Sequence, residues 1–138
     1  MSFTPRDPDD EQDPQHRLVR QWARAVNERD RDTLVALSHS DIDCYPLQIA
    51  TVSGLYEGHD GLRRWIDDMV ASDIGHQVEF RGIRTLADGR VALFGALFVE
   101  GKEISHYSLI ATLREDKVAG MRSYLSDEQT MEHLKLLR

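Results

Sequence analysis

Gly54-Leu55-Tyr56-Glu57-Gly58-His59-Asp60-Gly61-Leu62-Arg63-Arg64-Trp65 joins a glycine-rich turn directly to a helix. Asp60 can cap that helix, and Leu62, Trp65, Ile66, Met69 and Val70 form one apolar stripe that ends before Gly75. Upstream, Asp13-Pro14 supplies an N-cap and a proline at the first helical position. Leu18, Val19, Trp22, Ala25 and Val26 then recur at helical spacing. A short second helix starts at Asp30 and carries Leu34 and Leu37 inward, and Asp41 to Tyr45 alternates as a strand that Pro46 stops.

From His76 onward the period changes. Residues 76–86, 91–100, 103–114 and 117–125 read as four strands separated by Asp88-Gly89, Glu100-Gly101 and Glu115-Asp116, each short enough for a hairpin, so the expectation is a curled antiparallel meander. The apolar positions change phase between Phe80 and Ile83, which predicts a bulge at Gly82. Ser126-Asp127-Glu128-Gln129 is a capping-box pattern opening a terminal helix with Met131, Leu134 and Leu137 on its apolar side.

Composition bounds the rest. A chain of 138 residues, 41% hydrophobic, supports one core, read as a disordered tail over 1–13 and a single domain over 14–138. A formal charge of -7, with Arg81, Arg84 and Arg90 scattered, disfavours nucleic acid and anionic membranes as partners. The lone Cys44 excludes an internal disulfide, and the chain offers neither a membrane-spanning run nor a signal peptide, so a cytoplasmic protein is expected.

This order of elements resembles the SnoaL-like branch of the nuclear transport factor 2 (NTF2)-like superfamily over roughly residues 14 to 134. The Gly-x-x-Gly turn at Gly58 to Gly61, and the run from Glu115-Asp116-Lys117-Val118 to Tyr124-Leu125-Ser126-Asp127, carry the resemblance. It implies an α+β cone: a curved antiparallel sheet wrapped around three N-terminal helices, with one blind pocket. Members of that group use the pocket for isomerisation, aldol cyclisation, epoxide hydrolysis or binding, so fold alone does not choose among them.

Candidate site residues follow from strand register. With Glu115-Asp116 as a two-residue turn, Ser123 falls opposite Ser108, Leu125 opposite His106 and Met121 opposite Ile110. The resemblance to steroid-isomerase-like members places pocket positions at Trp22, Tyr45, Ser108 and Leu125, and alternation puts Asp43 on the face of Tyr45. The expected lining is Trp22, Asp43, Tyr45, Trp65, His106, Ser108 and Ser123. Within it His106 is the candidate general base, Asp43 its orienting or charge-balancing partner and Tyr45 the group that polarises a substrate oxygen, with Trp22, Trp65, Ser108 and Ser123 as ligand-binding residues.

Each has a plainer reading: His106 as a hydrogen-bonded structural histidine, Ile42 and Cys44 as the buried face with Asp43 solvated, Tyr45 at the cavity mouth, and Trp22 and Trp65 as core. Tyr45, Trp22 and Ser108 stand where steroid-isomerase-like enzymes carry their carboxylate base, tyrosine and protonated aspartate. Ser123 stands where epoxide-hydrolase-like members carry an aspartate. Neither mechanism carries over. Ser108 and Ser123 lack a nucleophile elbow, and Cys44 reads as a structural thiol. The glycine turn lacks phosphate-loop spacing, and histidines 16, 39, 59, 76 and 133 lack ligand pairing, so neither cofactor nor metal is expected.

The leading functional expectation is a small-molecule pocket protein acting as an isomerase or cyclase on an apolar carbonyl compound. The alternative is a non-catalytic ligand-binding or interaction module. Val91-Ala92-Leu93-Phe94-Gly95-Ala96-Leu97-Phe98-Val99 is apolar on both faces, which predicts a homodimer through the outer sheet face.

Overall fold

The computed structural model describes residues 12–46, 55–72 and 74–125. The expected terminal helix, most of the expected tail, and Gly54 lie outside the described residues. Helix α1 spans Pro14–Asn27, α2 Arg31–Ala36 and α3 Gly58–Ser72. The strands are β1 Ser38–Tyr45, β2 Tyr56–Glu57, β3 His76–Thr85, β4 Val91–Val99, β5 Lys102–Arg114 and β6 Lys117–Tyr124.

Local chemistry sets the helix starts. The Asp13 carboxylate accepts from Gln15 N at 2.9 Å and His16 N at 3.2 Å, with Pro14 at the first position of α1. Asp30 caps α2 through Thr33 N at 3.2 Å and the Thr33 hydroxyl at 2.7 Å. α3 begins two residues before its expected cap. Gly58 enters it at φ 69, and Asp60 lies within the first turn, where it pairs with Arg63 at 3.1 Å. Gly61 is required by close approach: a Cβ there would lie 2.8 Å from the Tyr56 carbonyl carbon. Tyr56 and Glu57, read from sequence as turn, pair with β1 as the short edge strand β2.

The six strands form one sheet in the order β2-β1-β6-β5-β4-β3. All neighbours are antiparallel except β1 and β6, which run parallel, a pairing between distant segments that no local pattern announces. The bulge expected at Gly82 is present between Phe80 and Gly82. Three further register shifts, at Ser38/Asp43, at Leu97/Phe98 and at Thr112/Leu113, were not anticipated.

The helices pack on the sheet face presented by Ile42, Cys44, Leu93, Leu109, Ala111, Val118 and Met121. Trp22 is fully buried among them. Its indole N–H donates to Ser38 Oγ at 2.8 Å, the Ser38 hydroxyl donates to the Leu34 carbonyl at 2.7 Å, and its ring stacks on Trp65 at 6.0 Å. Val70, expected in the α3 stripe, is exposed instead, because Leu62, Trp65, Ile66 and Met69 already fill the inward arc.

Candidate functional site

The irregularity at Thr112/Leu113 decides which side chains meet. Arg114 pairs with Lys117 across the Glu115-Asp116 turn, whose residues have φ 55 and 61, so the two-residue hairpin forms as read. Beyond it Leu113 faces Val118 but Thr112 faces Gly120, which leaves Ala119 as an extra residue. Every later pair is displaced by one. Ser108 faces Tyr124, Leu109 faces Ser123 and Ala111 faces Met121, in place of the expected Ser108–Ser123 and Ile110–Met121 pairs. Because side chains alternate between faces, one extra residue moves Ser123 to the helix-covered side and leaves Ser108 on the other.

The expected seven-residue lining therefore divides. Asp43, Tyr45, His106 and Ser108 belong to the outer face, while Ile42 and Cys44 are the buried positions of β1. Asp43 and His106 are exposed, and Ser108 is buried on that face. Asp43 lies level with Gly120 and hence with Thr112, so His106 is ~20 Å further along β5. His106, Asp43 and Tyr45 do not form one acid/base group. Tyr45 instead carries the Arg122 guanidinium 4.5 Å above its ring, beside an open groove of 370 Å³ that also includes Asp43 and Arg90.

On the inner face Trp65, Ser123 and Trp22 remain, at different depths. Trp65 and Met69 of α3, Val78 of β3, Leu97 of β4 and Tyr107 of β5 line a small, partly open cavity of 30 Å³, and the half-buried Val26, Asn27, Arg29, Pro46 and His76 complete its lining and are taken as its rim. Ser123 reaches it through Tyr107, whose hydroxyl lies 2.6 Å from Ser123 Oγ, and Trp22 stands one layer behind, stacked on Trp65.

Tyr107, absent from the sequence-based set, is the most specific polar group of this cavity. Burial pushes its phenol well above the usual range, so it stays protonated at neutral pH. Ser123 also lies 3.3 Å from Met121 Sδ, a weak acceptor. If the serine proton goes to sulfur, Tyr107 donates to Ser123. If it turns to Tyr107, the phenol proton is free for a ligand oxygen. Phe80 meets the Tyr107 ring edge-on at 6.0 Å and holds it in place.

At the rim, His76 is depressed to about 4, first by burial and then by the charge of Arg29, so its imidazole is neutral at pH 7. Its Nδ1 is buried without a hydrogen-bond partner. Asn27 ties α1 to β3 by accepting from Val78 N at 3.0 Å and donating to Val78 O at 2.7 Å. Cys44 is buried, with its thiol raised far above the ordinary value by desolvation, as suits a structural cysteine. Among the described residues, no three His, Cys, Asp or Glu side chains converge as metal ligands. No helix among them is long and apolar enough to cross a membrane.

The SnoaL-like domain model matches residues 19–121, and the chain belongs to that family. No curated protein matches the sequence. Among solved structures, TerC co-crystallised with polyporic acid is similar at TM-score 0.68 and 18% identity, over 88% of this chain and 98% of that one. SalBIII, described as an epoxide hydrolase/cyclase-like enzyme in pyran ring formation in the polyether salinomycin, is similar at TM-score 0.64 and 22% identity, over 86% and 95%. An NTF2-like protein from Burkholderia xenovorans is similar at TM-score 0.61 and 21% identity, over 86% and 94%. At these identities the likeness is one of fold, and the α+β cone with its curved sheet is that fold.

Proposed function

We propose that the chain binds a small, flat, largely apolar carbonyl compound between α1, α3 and the inner sheet face, with Tyr107 hydrogen-bonded to the carbonyl oxygen. The observation that carries this reading is the half-buried, protonated phenol of Tyr107, backed by Ser123 and facing the apolar walls Trp65, Met69 and Leu97. Polyporic acid with TerC and pyran formation by SalBIII support a small organic ligand. Ligand pockets commonly run to about 300–1,000 Å³, and 30 Å³ holds about two waters, so binding displaces a wall. Met69, unbranched and flexible, is the wall best suited to move.

The described lining contains no carboxylate, and a neutral imidazole near pKa 4 is a weak base at pH 7. Binding and polarisation of a carbonyl are therefore favoured over proton abstraction. Using 2-acetylnaphthalene as probe and tryptophan fluorescence as readout, Tyr107→Phe is expected to weaken binding about fivefold, the worth of one neutral hydrogen bond. Unchanged affinity in a stably folded Tyr107→Phe protein would remove Tyr107 from the site.

The same reading includes a homodimer through the outer face. Ala92, Ala96 and Ile110 of that face are already buried in a single chain, but Phe94 and Phe98 are only half covered. Light scattering at micromolar concentration is expected to give twice the 15.8 kDa chain mass. A monomer mass there is incompatible with the dimer.

A further inference from the structure

Among the described residues Arg29 is the one cation in the lining of the cavity, and its surroundings are unusual in two independent ways. Its guanidinium donates to the Val26 carbonyl at 2.8 Å and to the His76 carbonyl at 2.7 Å, and among the described residues it pairs with no carboxylate. In a chain with 24 acidic residues against 17 Lys and Arg, a half-buried guanidinium served by carbonyls alone is out of keeping with the whole. Burial lowers its pKa and no anion among the described residues offsets that, so the described part of the site carries a charge that it does not neutralise.

The second observation is in the backbone. α1 ends with Asp30 N bonded to Ala25 O at 2.9 Å and Arg29 N to Val26 O at 3.1 Å, a Schellman ending with Arg29 at the left-handed position, φ 58. Glycine is the residue that takes this position without steric cost. An arginine there accepts strain and in return sends its side chain to the rim, the pattern expected where a side chain is wanted for function.

Resting on the carbonyl-binding reading of this cavity, we infer that its ligand is an anion, a carboxylate or ionised enol on a flat apolar body, and that Arg29 binds the charged oxygens at the rim. Two of the guanidinium's five N–H groups are engaged by carbonyls, which leaves three for a carboxylate, enough for a two-point contact. The neutral His76 ring beside it adds no second charge, so a single negative group balances the rim. The apolar body then lies inward against Trp65 and Tyr107.

The test compares 2-naphthoate with 2-acetylnaphthalene, nearly equal in shape and different in charge, by calorimetric titration at pH 7 and low salt. Wild-type protein is expected to bind naphthoate at least tenfold more tightly than the ketone, the scale of a hydrogen bond to a charged group. Arg29→Gly suits the left-handed backbone and is expected to bring that ratio to about one, by a larger loss for naphthoate than for the ketone. Arg29→Lys, which keeps the charge without the fork, is expected to lower the ratio several-fold and serves as the second variant should Arg29→Gly fail to fold. Equal affinities in the wild type, or an equal loss for both ligands in a folded variant, would make Arg29 a structural staple and overturn the inference while leaving the carbonyl-binding reading intact. Binding of neither compound overturns both.

Discussion

Trp22→Ala is expected to destabilise the fold by about 3–5 kcal/mol in urea unfolding, the range for removing a large buried aromatic. The residue is wholly buried, stacks on Trp65 at 6.0 Å and donates to Ser38 Oγ, so truncation leaves a void, a ring without its partner and a hydroxyl oxygen without its donor. Domains of this size have about 5–15 kcal/mol in total, so the loss approaches the whole of it for a protein at the low end. Trp22→Phe separates the contributions: most of the apolar area stays and the hydrogen bond goes, for a loss of about 1 kcal/mol. Since Trp22 supports Trp65, any folded Trp22→Ala protein should also bind cavity ligands more weakly. A loss below about 1 kcal/mol for Trp22→Ala would show that the two indoles are not the keystone of this core.

Gly95→Ala is expected to cost about 2–4 kcal/mol, a large effect for one methyl group. Gly95 lies in register with Phe80 on one side and Tyr107 on the other, and the two rings meet across it. A Cβ there would run into the Glu79 carbonyl oxygen and come within 2.9 Å of the Phe80 Cα, backbone atoms held by the β3–β4 ladder. Neither neighbour can turn aside as a flexible side chain would. The strand must separate, and Tyr107 moves with it, so thermal stability and ligand affinity should fall together. A melting temperature within a degree or two of wild type would mean that the bulge at Gly82 absorbs the methyl group.

Most of the architecture was legible in the chain. The Asp13 and Asp30 caps, the apolar stripe of α1, the hairpin turns and the Gly82 bulge all depend on residues close in sequence, and all are where local chemistry puts them. Tyr56-Glu57 escaped notice because two residues carry no periodicity, and the parallel β1–β6 pairing because it joins distant segments. Arg29 left a faint signal: Asn27-Glu28-Arg29-Asp30 ends one helix and caps the next without a glycine, so some side chain had to occupy a left-handed position.

The site was decided at Ala119. Val118 and Met121 are both buried on the helix side although three positions apart, which a regular strand of period two cannot achieve, and that spacing was the available hint of a bulge. The apolar and small residues of β6 are compatible with either register. Packing makes the choice once β1 and β5 flank Gly120, where an added Cβ would come within 3.4 Å of the Thr112 side chain and 3.8 Å of the Asp43 carbonyl oxygen. Sequence by itself therefore determined the elements, their caps and turns and the family of fold, because those rest on local backbone chemistry and on periodicity. Only the tertiary structure decided that Tyr107 faces the cavity with Ser123 behind it, while His106 and Asp43 lie on the outer face, because the side of a sheet on which a residue lies is inverted by one inserted residue whose position is set by distant strands.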